Sequence, residues 1–234
     1  ITYMRTDSTN VSPLAIEEVR IYIKDVHGAS YLPESPNFHK TKAAKAQEAH
    51  EAVRPTSSFR TPEKMMSHLT PEQFKLYQLI WRRFVASQMA AAVYETLSIE
   101  VVGKGVQHEY LFRASGSKLQ FPGFLTIYEE ARDEDVKSEN ETLDLPEGLT
   151  DGDLLKLLKL LPEQHFTQPP PRFTEASLVQ TLEEYGIGRP STYAPIISTI
   201  QARGYVERDA KRLIPTETGF VVNDLLVEFF PDVL

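Results

Sequence analysis

Apolar residues recur at helical spacing in two stretches in the first part of this 234-residue chain. In the first, VSPLAIEEVRIYIKDVHG, Ser12 can cap a helix, Pro13 suits its first turn and Gly28 can end it. Because apolar side chains at this spacing share one helix face, that face is predicted to be buried. It carries Ala15, Val19, Ile23 and Val26.

The second helical stretch is TPEQFKLYQLIWRRFVASQM. Thr70 and Gln73 form a capping-box pattern around Pro71, which predicts where this helix begins. Its aromatic residues line one side and are predicted to belong to the core. They are Phe74, Tyr77, Trp81 and Phe84.

The middle of the chain favours β structure. TLSIEVVG alternates with period two, and EYLFRASGSKLQF indicates a hairpin that turns at Ser115, Gly116 and Ser117. The run LLKLLKLLPEQHF is ambiguous, since its lysines fall three apart as on a helix while predicted strands surround it. QPPPRF is a stiff linker, because consecutive prolines favour extended polyproline geometry.

The last segment predicts a helix, a turn, a second helix, a hairpin and a third helix. Thr174 caps FTEASLVQTLEEY, Gly186 and Gly188 break it, and Ser191 or Thr192 starts STYAPIISTIQARG. YVERDAKRLIP then supplies two short strands, and TETGFVVNDLLVEFF supplies the last helix. Two helices joined by a glycine-containing turn and followed by a hairpin are typical of a winged helix. The chain is therefore predicted to be an α+β, multidomain protein.

Composition narrows the class of protein. The net charge of −8 argues against a large basic nucleic-acid footprint, although the acid is concentrated in the middle segment and residues 1–100 are nearly neutral. There is no cysteine, which excludes disulfides and Cys-based zinc sites and fits a reducing compartment. No apolar run is long enough for a membrane helix, and the first residues lack signal-peptide features. We expect a cytoplasmic protein without a membrane partner.

The segment ITYMRTDST places a phenol, a guanidinium and several hydroxyls within nine residues. On an extended chain Tyr3 and Arg5 point to the same side. A tyrosine hydroxyl can attack phosphorus, but tyrosine side chains are mostly protonated at neutral pH and need cationic help. Arg5 can give that help, with Thr6 and Ser8 as further donors to phosphate oxygens. Taken alone, these residues also fit a strand-end aromatic beside a solvated arginine.

Two further motifs carry candidate chemistry. QEAHEAVRPT offers His50, which can relay a proton or, when charged, hold a phosphate; it also fits a histidine hydrogen-bonded to its neighbours. YGIGRPSTY puts backbone amides, a guanidinium and two hydroxyls at a helix start, which favours phosphate binding; it also fits a plain capped turn. The motif is not a nucleotide P-loop, since the Walker lysine is missing.

Two Asp-x-Asp pairs raise the possibility of a Mg²⁺ site. They are Asp133 with Asp135 and Asp151 with Asp153. Neither pair follows an apolar strand that would hold both carboxylates, and the histidines are scattered without ligand spacing. The sequence therefore predicts no metal site.

Three stretches, in this order, resemble the motifs of type IA DNA topoisomerases, most closely the bacterial members: ITYMRTDST, QEAHEAVRPT and FTEASLVQTLEEYGIGRPSTYAPIISTIQARGYV. YLPESPN and LYQLIWRRFVASQM resemble the segments between them. The resemblance implies an enzyme that relaxes negatively supercoiled DNA by cutting one strand, passing the other and resealing. It implies that Tyr3 forms a 5′-phosphotyrosyl link, that Arg5 stabilises the scissile phosphate, and that His50 positions the DNA backbone and relays a proton.

The resemblance also implies single-stranded DNA contacts at Arg189, Ser191 and Thr192. To these we add, as predicted DNA contacts, Gly188, Thr6, Ser8 and Arg54. The resemblance to type IA enzymes also divides the chain into three parts. These are a mostly helical catalytic-tyrosine domain at 1–90, a β-rich arch segment at 91–166 and a winged-helix-like DNA-binding segment at 167–234. Within the arch, the leucine-lysine run is then predicted to be a strand.

Type IA enzymes bind Mg²⁺ through a Toprim domain that precedes the tyrosine, and no stretch here resembles that domain. The chain also begins on Ile1 without an initiator Met, in a pattern that reads as the end of a strand. We therefore expect a fragment of a longer, nucleoid-associated enzyme that needs its Toprim domain as a partner. Alone, it is expected to hold no Mg²⁺ and to be inactive.

Two other classes of protein compete with this interpretation. A winged-helix regulator would read duplex DNA with its second helix, but PSTYAPIIS offers few side chains suited to base edges. A recombinase or type IB enzyme would form a 3′-phosphotyrosyl link, but those proteins place the tyrosine after their basic residues. Determining whether the peptide remains on the 5′ or the 3′ end of the cut DNA distinguishes this second class from a type IA enzyme.

Overall fold

The computed structural model describes residues 1–4, 6, 8–39, 50–129 and 148–231. Within these residues the fold is mixed, with six α-helices and two small antiparallel sheets. This confirms the predicted mixture of helices and strands. The chain separates into two compact units: the first is Ile1–Tyr3, Val11–Phe38 and Val53–His165, and the second is Met4–Asn10, His39–Ala52 and Phe166–Leu234. The division into 1–90, 91–166 and 167–234 stays a prediction.

Helix α1 (Pro13–His27) begins and ends where local signals predict. The Ser12 hydroxyl accepts a hydrogen bond from the Ala15 N–H at 3.4 Å, and Pro13 occupies the first turn. Gly28 ends the helix at φ +94°, a backbone conformation that favours glycine, and its N–H donates to the Lys24 carbonyl. Val26, predicted to be buried, is exposed. It lies in the last turn of α1, outside the buried cluster.

Helix α3 (Pro71–Ser87) packs with α1 in the core of the first unit, and the short helix α2 (Pro62–Met65) precedes it. The predicted capping box is present, since the Thr70 hydroxyl accepts from the Gln73 N–H and the Gln73 side chain accepts from the Thr70 N–H. Three of the four predicted aromatic residues are buried, and Phe74 is half-buried. The core cluster contains Ala15, Val19, Tyr22, Ile23, Tyr77, Trp81, Phe84, Val85 and Met89.

His27 makes the stability of the first unit depend on pH. Its ring lies against the rings of Tyr22 and Tyr31, with centroids 6.3 Å and 5.8 Å away, and burial lowers the pKa of His27 below its ordinary 6.5. The unfolded chain therefore binds a proton at this residue more readily than the folded chain. We expect the free energy of unfolding to fall as pH drops below 6.5.

Urea unfolding at pH 7.5 and pH 5.5 measures this effect. The variant His27→Gln, which cannot take up the proton, is expected to lose less stability between the two pH values than the natural chain. An equal loss in both proteins would contradict the assignment to His27.

The first sheet is a long hairpin of β1 (Val93–Lys104) and β2 (Glu109–Phe121). The chain reverses between Gly105 and His108, where the Gly105 N–H donates to the His108 carbonyl at 2.9 Å. The predicted turn at residues 115–117 is wrong, because these residues continue the ladder and Gly116 pairs with Leu97.

The leucine-lysine run at residues 154–161, predicted to be a strand, forms neither a strand nor a helix. Leu154 is fully exposed, and the other leucines of the run are exposed as well. A strand needs a neighbour for its hydrogen bonds, and each described sheet consists of two strands that pair with one another. The prediction is therefore wrong for the structure described.

The second unit has the predicted order of elements: α4 (Glu175–Glu184), α5 (Pro190–Ala202), β3 (Val206–Asp209), β4 (Arg212–Pro215) and α6 (Glu217–Phe229). Thr174 caps α4 as predicted, by accepting from the Ser177 N–H. Helix α5 starts at Pro190 rather than at Ser191 or Thr192, because proline is well suited to a first helical position. In the described part of the chain, no helix is long and apolar enough to cross a bilayer.

Candidate functional site

Tyr3 lies on an exposed segment whose backbone is held by the residues around Arg54. The Thr2 N–H donates to the Arg54 carbonyl at 2.9 Å, and the Arg54 N–H donates to the Thr2 hydroxyl at 3.0 Å. Tyr3 itself is 76% exposed. The neighbouring Thr6 is exposed, and Arg5 lies outside the described residues. The phenol is therefore accessible while the backbone beside it is fixed.

The Arg54 guanidinium contacts the protein. Its Nη1 donates to the Pro55 carbonyl at 3.0 Å, and its Nη2 approaches the hydroxyl of Ser12, the cap of α1, at 3.5 Å. Arg54 thus connects the segment that carries Tyr3 to the start of α1 within the first unit. A DNA contact by Arg54 stays a prediction.

Ser8 and His50 are brought together in the second unit, although 42 residues separate them. The Ser8 hydroxyl donates to the His50 carbonyl and accepts from the Asn10 N–H at 3.3 Å. The Ala52 N–H donates to the Asn10 carbonyl at 2.7 Å. Ser8 is buried, so in this structure its hydroxyl positions the backbone of His50. The predicted DNA contact of Ser8 and the predicted catalytic role of His50 stay predictions.

The loop between α4 and α5 has a backbone fixed by helix-end hydrogen bonds. Gly186 donates its N–H to Glu183 at 3.0 Å, and Ile187 donates its N–H to Leu182 at 2.8 Å, the pattern of a Schellman motif. Gly186 lies at φ +70° and Gly188 at φ +75°, conformations that a side chain would strain. Both glycines therefore have a backbone role at the predicted helix break.

Thr192 connects this loop to the first turn of α5. Its hydroxyl accepts from the Arg189 N–H at 2.8 Å and donates to the Arg189 carbonyl at 3.0 Å. All three predicted phosphate-binding side chains, Arg189, Ser191 and Thr192, are exposed, and the Thr192 hydroxyl also stabilises the loop that carries them.

Tyr185 and Ile187 have no functional role predicted from the sequence. Both side chains are exposed in the loop that leads to Arg189. The signal in the sequence is a pair of large apolar residues inside YGIGR, where a solvent-facing loop ordinarily carries polar residues.

Acidic side chains do not gather into a metal site in the described part of the chain. No three His, Cys, Asp or Glu side chains there are close enough to hold an ion. The Asp153 carboxylate accepts from the N–H and the hydroxyl of Thr150, at 2.8 Å and 3.1 Å, and so closes a local turn. Asp133 and Asp135 lie outside the described residues.

Known proteins are similar to this chain along essentially its whole length. A family model described as DNA topoisomerase matches residues 1–234. A solved structure of full-length topoisomerase I from Thermotoga maritima, in a monoclinic crystal form, is similar to the chain with a TM-score of 0.73 and 37% sequence identity. The match covers 99% of this chain and 35% of the Thermotoga chain, so the chain spans about a third of that protein's length. These matches confirm the family indicated by the sequence motifs: the chain belongs to the type IA DNA topoisomerases.

Proposed function

We propose that this chain carries the nucleophile of an enzyme that relaxes negatively supercoiled DNA through a 5′-phosphotyrosyl intermediate. The observation that carries the proposal is the accessible phenol of Tyr3 on a backbone held by Arg54, in a chain that matches the topoisomerase family throughout. An accessible side chain lets a DNA strand approach it, and an ordered backbone limits the entropy lost when the strand is aligned.

The reaction exchanges one phosphoester for another. The Tyr3 Oη attacks a backbone phosphorus, and a new P–O bond forms as the bond from phosphorus to the 3′ oxygen breaks. The phenolic proton leaves, and the 3′ oxygen takes up a proton. Tyr3 then holds the 5′ phosphate, and the reverse steps reseal the strand. Because an ester bond is kept throughout, neither hydrolysis nor ATP is required.

Arg5 and His50 are proposed to act with Tyr3 in catalysis. A guanidinium at Arg5 would stabilise the extra negative charge on the phosphate oxygens as the nucleophile adds. The His50 imidazole would position the DNA backbone and relay a proton, supported by the hydrogen bond between Ser8 and the His50 carbonyl.

The start of α5 is the proposed binding site for the backbone of single-stranded DNA. Arg189 and Ser191 are exposed there, and a helix N-terminus favours negative charge. Gly188 and Thr192 remain proposed DNA contacts, and they would also hold the backbone of this loop in its winged-helix-like segment. Thr6 and Arg54 remain proposed contacts to the DNA backbone near Tyr3.

In the proposed mechanism, Mg²⁺ is bound by a partner domain and not by this chain. The described carboxylates form no cluster that fits the ion, so no step is assigned to Mg²⁺ on this chain. We propose that a Toprim domain of the parent protein binds it, and that the parent enzyme acts on DNA in the cytoplasm.

Adduct formation tests this proposal. The 234-residue chain, incubated with Mg²⁺ and a labelled single-stranded oligonucleotide, is expected to form no covalent adduct on a denaturing gel, since we propose that a Toprim domain must supply the Mg²⁺ site. Adding a separately made Toprim domain of the same family is expected to restore strand cleavage. An adduct formed by the chain alone would show that the proposed division of the active site is wrong.

A further inference from the structure

Two large apolar side chains are exposed in the loop just before Arg189 and Ser191, the proposed phosphate-binding residues. Tyr185 is 76% exposed and Ile187 is 52% exposed, and only Gly186 separates them. Single exposed apolar residues are common on protein surfaces, but here two of them lie in one loop that leads directly into Arg189. We call Tyr185 and Ile187 the apolar platform.

The backbone that carries the platform is fixed. The Tyr185 N–H donates to the Thr181 carbonyl at 3.0 Å, and the Gly186 and Ile187 N–H groups donate back into α4. On the other side, a Cβ built on Gly188 would lie 3.1 Å from the Thr192 hydroxyl oxygen, so the loop packs closely on the first turn of α5. The backbone beneath the platform is therefore preorganised, which reduces the entropy lost when a ligand binds.

Charge around the platform favours an uncharged ligand group at Tyr185. Glu183 and Glu184 are exposed at the end of α4 and repel phosphates, whereas the Arg189 guanidinium attracts them. Four residues of chain span at most about 14 Å, so Tyr185 lies within reach of a nucleotide next to a phosphate bound at Arg189. A strand held at Arg189 would thus present bases, not phosphates, to Tyr185.

We propose that Tyr185, flanked by Ile187, stacks against a base of the single strand whose phosphate binds at Arg189 and Ser191. The inference rests on the proposed function and adds to it a site for the base. Stacking of bases on aromatic side chains is a general device of single-strand binding, and it tolerates any base because every base has a π-face. The site therefore contributes affinity for unpaired DNA without sequence preference.

Fluorescence anisotropy with the 234-residue chain and a labelled mixed-sequence oligonucleotide tests the site. Tyr185→Ala is expected to weaken binding about tenfold, the usual cost of losing one stacked base, whereas Tyr185→Phe retains affinity. Tyr110→Ala, which removes an exposed tyrosine from the hairpin of the first unit, is the matched control and is expected to bind as the natural chain does. Circular dichroism melts check that each variant is folded.

A fully abasic oligonucleotide of the same length separates stacking from phosphate binding. The natural chain is expected to bind it more weakly than the mixed-sequence strand, and Tyr185→Ala should then cause no further loss. An equal loss on both strands would overturn base stacking. Unchanged affinity in Tyr185→Ala, with weakened binding in Arg189→Ala, would overturn the inference and leave the proposed function standing. If the natural chain bound neither the mixed-sequence nor the abasic oligonucleotide, both the proposed single-strand binding at α5 and the stacking site would be wrong.

Discussion

Replacing Tyr3 with phenylalanine is expected to abolish DNA cleavage and relaxation when the chain is combined with its Toprim domain or tested in the parent enzyme. The substitution removes one oxygen atom and keeps the ring, so it deletes the nucleophile while changing the surface little. We expect a loss on the order of 10⁴-fold or more, as in other enzymes that lose their nucleophile. Relaxation of a negatively supercoiled plasmid, followed on agarose gels, measures it.

The matched control is Tyr110→Phe, which removes the same oxygen atom from an exposed tyrosine of the hairpin and is expected to leave relaxation unchanged. Persistent relaxation by Tyr3→Phe would refute the assignment of the nucleophile. The polarity of the link gives a second check, because the peptide should remain on the 5′ end of the cut strand. A peptide on the 3′ end would support the recombinase or type IB interpretation instead.

Replacing Trp81 with alanine is expected to lower the free energy of unfolding of the first unit by about 3–5 kcal/mol. Trp81 is 6% exposed, and its ring lies edge-on to Tyr22 with centroids 5.5 Å apart. Its Nε1–H donates to the Ser58 carbonyl at 3.0 Å, so the substitution leaves both a cavity and a buried acceptor without its donor. Trp81 is the only tryptophan, and far-UV circular dichroism in urea is therefore the suitable probe.

Leu79→Ala is the control for Trp81→Ala, because Leu79 lies on the same helix and is 53% exposed. We expect it to cost less than about 1 kcal/mol, since exposed positions lose little buried surface. A cost for Trp81→Ala no greater than that of Leu79→Ala would contradict the central place of Trp81 in the core.

The candidate site was predictable from the sequence only in part. The residue types at Tyr3, His50 and Arg189 pointed to phosphate chemistry, and the family resemblance supplied their proposed roles. What the hydroxyls of Ser8 and Thr192 contact was not predictable, because a hydroxyl can serve equally as a ligand donor or as an internal hydrogen-bonding group. In the structure both hydroxyls bond to protein backbone, at His50 and at Arg189.

The sequence by itself determined the helix starts at Ser12, Thr70 and Thr174, and the family. Each of these caps joins groups three residues apart, so its outcome depends on the local sequence alone. Tertiary structure decided where the first hairpin turns, whether the leucine-lysine run pairs, and how Ser8 holds His50. Each of these depends on a partner distant in sequence, such as the opposite strand or a carbonyl 42 residues away, and only the folded chain brings such partners into contact.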